Sequence, residues 1–183
     1  MATSRYDAPG RLDLVRRFVN SRDVEQDTDA IADATGLAGW LTAQGLLEAG
    51  ASVREAEVER ALALREALRA ALLANHDREP PPDGAVRELN AAARRAELTP
   101  VLQPSGEWRA QSGARGADAA LGAIVATVVE AMGGTEWPRL KVCVNDRCLW
   151  AYYDRSRSHA RRWCSMELCG NRVKQQAWRG RQP

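Results

Sequence analysis

The sequence predicts an α+β chain that is mainly α: a helical N-terminal domain with one small hairpin, then a compact C-terminal module built on four cysteines. Three observations predict it. Apolar residues recur at spacings of three and four through most of the first 132 residues, the period of helices buried on one face. Proline and glycine clusters, Pro80-Pro81-Pro82 and Gly133-Gly134, cut that pattern into pieces of helix length. All four cysteines fall within 27 residues near the C-terminus.

At 183 residues the chain can form one domain or two small ones, and its 45% hydrophobic content is that of a globular protein. Net charge is only +2, but it is unevenly spread. From Trp137 to Pro183 there are eleven Lys and Arg against three Asp and Glu, a formal +8; the remainder carries fifteen against twenty-one, a formal −6. An acidic body with a basic C-terminal module suggests a polyanionic partner for the module. Arginine is the default cation here, since only Lys141 and Lys174 are lysine. Its concentration at one end is therefore the informative feature. No apolar run reaches eighteen residues and the first residues contain no apolar signal core, so no membrane span and a cytoplasmic location are expected.

Residues 1–10 read as a loose leader. Leu12, Leu14, Val15, Phe18 and Val19 predict a short core-facing helix. Asp29 to Leu47 is loosely amphipathic, with Gly36, Gly39 and Gly45 expected to break it. Ser52-Val53-Arg54-Glu55 fits a capping box, and Ala61, Leu64, Leu68 and Leu72 predict a long amphipathic helix to about Asn75. Asp83 is positioned to cap a helix over roughly Ala85 to Arg95. Leu98, Val101 and Leu102, then Pro104-Ser105-Gly106, then Trp108 predict a hairpin between Glu97 and Ser112. Gly116 to Met132 is apolar and nearly free of charge, the pattern of a buried central helix, and Gly133-Gly134 ends it. The domain boundary falls there, giving 1–134 and 135–183.

The cysteines are spaced Cys143-x4-Cys148, fifteen residues, then Cys164-x4-Cys169. Two close pairs joined by such a linker suit tetrahedral Zn²⁺, each pair supplying two thiolates from one turn. Four thiolates fill the coordination sphere, so one structural zinc is expected and zinc hydrolysis is not. Val144 to Arg147 would form the first knuckle, Leu149 to Tyr153 a strand, Asp154 to Ala160 a turn and Arg161 to Trp163 the returning strand. Ser165 would cap a helix from Met166 to about Trp178, with Cys169, Val173 and Ala177 towards the metal and Arg172, Gln175, Gln176 and Arg179 on the other face. Knuckle, hairpin and ligand-bearing helix resemble a treble-clef finger. Tyr152 and Tyr153 should point to opposite sides of their strand, so at most one is expected to be buried.

The run Cys164-Ser165-Met166-Glu167-Leu168-Cys169-Gly170-Asn171-Arg172 is similar to the signature of the bacterial CGNR zinc-finger family. Trp150 to Ser158 and Arg161 to Cys164 match that family's finger as well, so the close resemblance spans about 40 residues. The preceding chain resembles the family's N-terminal ABATE domain through Phe18-Val19-Asn20, Trp40-Leu41 before Gly45-Leu46, Leu64-Arg65-Glu66-Ala67-Leu68 and Leu89-Asn90, which count mainly by their order. The family is described as stress-induced transcription regulators. The resemblance implies a finger that binds DNA.

Arg155, Arg157, Arg161, Arg162, Arg172, Lys174, Gln175, Gln176, Arg179 and Arg181 are the nucleic-acid candidates, cations for phosphates and donors for base edges. Their alternative is a solvated basic surface. Gly170 permits close packing beside the metal; Asn171 and Arg172 either support the thiolates or contact DNA. Trp150, Trp163 and Trp178 either stack on unpaired bases or form a small core around the metal, the commoner use. His159 reads as a surface residue, His76 as exposed or a cap, and Trp40 and Trp108 as core. No phosphate loop, carboxylate pair or serine elbow is present, so an enzyme is not expected. The reading is a regulator that binds double-stranded DNA as a homodimer, with a body that either encloses a small-molecule effector or forms only the dimer interface. RNA binding, protein adaptor and redox-switch roles stand as alternatives.

Overall fold

The computed structural model describes residues 6–172. Among them, helices and two-stranded antiparallel ribbons follow the order α1 (Leu12–Val19), β1 (Arg22–Asp23), β2 (Thr28–Asp29), α2 (Ala34–Ala43), α3 (Glu55–Ala74), α4 (Asp83–Arg95), β3 (Leu98–Leu102), β4 (Trp108–Ser112), α5 (Gly116–Met132), β5 (Leu140–Val142) and β6 (Ala151–Tyr153). The expected helices at 12–19 and 116–132 and the hairpin within 97–112 are all present. No helix of the described residues is long and apolar enough to cross a membrane.

α3 forms because Val58, Ala61, Leu64, Leu68 and Leu72 make one apolar stripe, and every one of these is buried. Its cap lies two residues later than Ser52. Arg54 is the N-cap, and the buried Glu57 carboxylate accepts its backbone N–H at 2.7 Å and its guanidinium at 2.6 Å. Glutamate reaching back to the cap amide is the half of the capping box that arginine permits. Likewise Asp83 is the first residue of α4, with Pro82 before it as the cap. α2 runs through Gly36 and Gly39 instead of breaking at them, because Asp33 Oδ1 accepts the Gly36 amide at 2.8 Å. Gly36 is needed for space: a Cβ there would lie 2.7 Å from the Ala30 carbonyl oxygen. Gly45, at φ +70°, follows the helix end.

α5 lies against α1, α3, α4 and the β3–β4 hairpin, and its residues from Ala117 to Val128 are mostly buried. A Cβ on Gly122 would stand 2.4 Å from that of Ala96, so glycine permits the close approach of α5 to the α4–β3 corner. Trp40 packs on Phe18, ring centroids 5.4 Å apart. Trp108 does not join the core. It is 66% exposed and pairs across the hairpin with Leu102, itself 56% exposed, so this tip pair has no layer above it.

The C-terminal ribbon departs from expectation in an instructive way. β6 pairs with β5, Leu140 opposite Tyr153, Lys141 opposite Tyr152 and Val142 opposite Ala151, and not with Arg161–Trp163. The Arg161 N–H is taken instead by Asp154 Oδ2 at 3.0 Å, which leaves it no ladder role. Both tyrosines are buried, contrary to the expectation of at most one. The ribbon is covered on both faces: Leu140, Val142, Ala151 and Tyr153 enter the core of the helical body, while Tyr152 packs among the cysteines.

Polar side chains of the body complete this junction by taking ribbon backbone groups that would otherwise be orphaned. The Asn20 amide acts as an extra strand, donating to the Ala151 carbonyl at 2.9 Å and accepting its N–H at 2.7 Å. Asn75 donates to the carbonyls of Trp137 and Leu140, both at 2.8 Å. His76, expected to be exposed or a cap, is half-buried with Nε2 2.6 Å from the Val142 carbonyl. Arg69 donates to Val19 at 2.9 Å and to Leu149 at 2.7 Å, tying α1 to the first knuckle. Arg65, buried on the same helix, donates to both carboxylate oxygens of Asp29, at 2.7 and 2.8 Å.

Candidate metal centre

Cys143 continues from β5, its N–H bonded to the Trp150 carbonyl at 2.9 Å, and the chain then turns so that the amides of Cys148 and Leu149 both bond the Asn145 carbonyl. Leu149 closes this knuckle at φ +49°, a left-handed conformation that β-carbons resist, and the Arg69 bond to its carbonyl holds it there. Ser165 caps the second knuckle as predicted, its Oγ accepting the Leu168 amide at 3.3 Å. The chain then makes one wide helical turn, Met166–Gly170, that delivers Cys169.

These turns bring all four sulfur atoms within 4.8 Å of one another, and all four residues are buried. Cys148 and Cys164 sulfurs are 3.6 Å apart, Cys164 and Cys169 3.7 Å. A disulfide needs about 2.05 Å. A tetrahedron with Zn–S of about 2.3 Å has edges of about 3.8 Å. The donor set therefore fits one zinc ion with no coordination position left over.

The protonation chemistry agrees. Without a metal, thiol donors from Cys148 and Cys164, and amides of Cys164 and Asn145, hold Cys143 far below the usual thiol range, at about 2. Donating to Cys143 pushes Cys148 up to about 12, and the same interaction together with burial raises Cys164 further. Once Cys143 is a thiolate, Cys148 and Cys164 are thus kept protonated. A dication removes that constraint, since coordinated thiols ionise outright.

Around the sulfurs, Tyr152 is fully buried and donates its hydroxyl to the Arg161 carbonyl at 2.6 Å. Trp150 and Trp163 pack against the cysteine cluster, the small-core reading of those residues. Arg161 lies over the Tyr152 ring and donates to the carbonyls of Trp163, at 2.7 Å, and Cys164. Beneath them is a buried ion pair, Lys141 Nζ to Asp154 Oδ2 at 3.2 Å, with Lys141 also bonded to the His159 carbonyl at 2.6 Å. Burial alone would raise Asp154; hydrogen bonds from Ser156, Lys141 and Arg161 outweigh it and hold the carboxyl below its usual value.

The remaining candidates separate by position. Gly170 packs on Met166, where a Cβ would come within 2.9 Å of the sulfur. Asn171 is exposed and donates to the Glu167 carbonyl at 3.2 Å, steadying the turn behind Cys169. Arg155, Arg157, Arg162 and Arg172 are exposed. Arg155 reaches the Asp7 carbonyl at 3.1 Å, Arg162 lies 3.6 Å from Asp77, and Arg172 pairs with Glu25 in the β1–β2 turn. Lys174, Gln175, Gln176, Arg179 and Arg181, with Val173, Ala177 and Trp178, lie outside the described residues. Asn20, Arg69, Lys141 and Asp154 have no role at the site in the sequence reading. One signal was available for Lys141: it is one of only two lysines in an arginine-rich chain.

A helical body whose core receives the ribbon of a closed four-thiolate finger defines a two-part zinc-binding protein. The ABATE family model, described as "Putative stress-induced transcription regulator", matches residues 12–135, and the CGNR zinc-finger model matches residues 139–182. The chain belongs to the ABATE family and ends in a CGNR zinc finger. A comparison with curated proteins gave no match.

Proposed function

We propose that the protein is a zinc-dependent, DNA-binding transcription regulator whose finger meets duplex DNA through arginine and whose helical body carries a ligand-responsive element. The observation that carries this reading is the +8 formal charge of residues 137–183 on a module whose metal is sealed by four sulfurs. A sealed zinc has no position for water or substrate, so the metal's role is to hold shape, and no catalytic step is assigned. Counter-ion release then makes the cationic surface a ready phosphate ligand. Duplex is favoured over single-stranded RNA because Trp150 and Trp163 are engaged with the cysteine cluster and are not free platforms for bases. A homodimer in the cytoplasm fits the two-fold symmetry common in duplex readers.

The test is a titration of the zinc-loaded protein against fragmented genomic DNA, with RNA as competitor, at two salt concentrations. The reading expects a few duplex fragments to be enriched and the enrichment to be lost in Arg172→Ala with zinc retained. Weak, uniform binding that vanishes with salt contradicts it, and so does preference for RNA.

A further inference from the structure

A cleft of about 650 Å³ opens where the end of α3, the proline loop, the end of α5 and the finger meet. Pro80, Pro81 and Trp137 supply apolar wall; Arg78, Glu79 and His159 supply its polar rim. Two features set this cleft apart from an ordinary surface hollow. First, Arg78 stands at φ +58°, at the helix end where the Glu79 N–H bonds back to the Ala74 carbonyl at 3.2 Å. Glycine is the usual residue there, because a β-carbon is strained in that conformation. The left-handed positions 45 and 106 take glycine, whereas Asp27, Glu97 and Leu149 share with Arg78 a β-carbon at positive φ. The Arg78 guanidinium and the Glu79 carboxylate form no hydrogen bond or ion pair with any described residue, so neither charge returns that cost within the fold. Second, His159 is also left-handed, at φ +50°, and its carbonyl is bonded by Lys141. From Lys141 the bonds run to Asp154, to the Arg161 amide, and through the Arg161 side chain to the carbonyls of Trp163 and Cys164.

We propose that this cleft is an effector site for a small amino-acid-like zwitterion with an apolar side chain, and that occupancy reaches the finger through His159 and Lys141. The proposal deepens the ligand-responsive part of the reading above and is independent of DNA binding. Arg78 meets the carboxylate, Glu79 the ammonium, and the proline and tryptophan walls the side chain. A displaced His159 moves the acceptor of Lys141, whose ion pair sets the turn carrying Arg161 and thereby the second knuckle.

The test uses zinc-loaded full-length protein, followed by NMR at the Trp137 indole and at the amides of Arg78, Glu79, His159, Asp154 and Arg161. The probes are L-phenylalanine, L-leucine, phenylacetate and 2-phenylethylamine. The two amino acids should give saturable shifts at the cleft, and each singly charged fragment should bind about tenfold more weakly, the loss of one charge-assisted hydrogen bond. Arg78→Gly should melt no lower than the parent, since it relieves the backbone, yet lose the preference for phenylalanine over phenylethylamine. Glu79→Gln should lose the preference over phenylacetate. Shifts at Asp154 and Arg161 should saturate together with those at the cleft. The site is overturned if no probe gives a saturable cleft shift at about 10 mM, a range that admits very weak ligands. It is also overturned if the fragments bind as well as the amino acids, or if Arg78→Gly binds like the parent. Cleft shifts without any at Asp154 and Arg161 overturn the coupling. No nucleic acid is present, so a failure of DNA binding in the separate titration leaves these outcomes intact.

Discussion

Replacing Asn20 by alanine should weaken the junction between finger and body without touching a zinc ligand. The Asn20 amide gives both its donor and its acceptor to Ala151, which is fully buried in the core shared by body and ribbon. Alanine removes both partners at once and leaves a buried N–H and a buried carbonyl unsatisfied. Each such group costs about 1–3 kcal/mol. Because Asn20 itself is only half-buried, water can enter the vacated space and recover part of this. The expected loss is therefore about 2–4 kcal/mol, a large share of the 5–15 kcal/mol typical of a whole domain. Urea unfolding in zinc-saturated buffer, followed by far-UV circular dichroism and tryptophan fluorescence, should show a lower midpoint with an unchanged slope. Zinc content should remain one per chain. A loss under about 0.5 kcal/mol, the size of an ordinary surface change, would refute the argument that Asn20 serves as a strand of this junction. Separate transitions for body and finger in the parent protein would refute it too.

Other perturbations follow from the same contacts. Lys141→Met leaves Asp154 buried beside no cation and should cost about 3–5 kcal/mol in unfolding experiments, with part recovered when Asp154→Leu is added. Cys164→Ser should abolish stoichiometric zinc binding, measured by metal analysis, and should lower the melting temperature of the whole chain because the ribbon belongs to the body's core. Stability should fall on acidification in two stages. Burial holds His76 below its ordinary 6.5, so the unfolded chain binds its proton first; this contribution is complete above 6.5 and is lost as pH falls through the lowered folded value. His76→Gln should flatten that first stage. The second stage belongs to Asp13, Asp29 and Asp154, where arginine, lysine and other hydrogen-bond donors outweigh burial and hold the carboxyls below 3.8; their contribution is complete above 3.8 and is lost below it. Glu25→Gln frees Arg172 from its exposed partner, so affinity for duplex DNA should rise a few-fold by fluorescence anisotropy; unchanged or weaker binding would argue against Arg172 as a phosphate contact.

Local patterns in the sequence foretold local structure well. The apolar stripe of α3, the nearly charge-free run of α5, the turn at Pro104-Ser105-Gly106 and the Ser165 cap each depend on neighbours within a turn or two, and each appears as read. The cysteine spacing foretold the metal site because two x4 pairs leave few other arrangements for thiolates. The misreadings came from long-range partners. Lys141 and Tyr152 alternate with Leu140, Val142, Ala151 and Tyr153, a pattern that looks half-polar until the strand is found to have cover on both sides. Asn20 and Ala151 are 131 positions apart, and no periodicity announces a side chain that completes another segment's ladder. Ser52 looked like a cap because serine is a common one; a glutamate three residues after Arg54 served instead.

Zinc K-edge X-ray absorption on the purified full-length protein tests the central claim most directly, that a closed four-sulfur zinc centre holds the finger in the body's core. The account predicts one zinc per chain in a single shell of four sulfurs at about 2.3 Å. A shell containing nitrogen or oxygen, or fewer than four sulfurs, would mean an open or mixed site and would contradict the sealed structural centre on which the account rests.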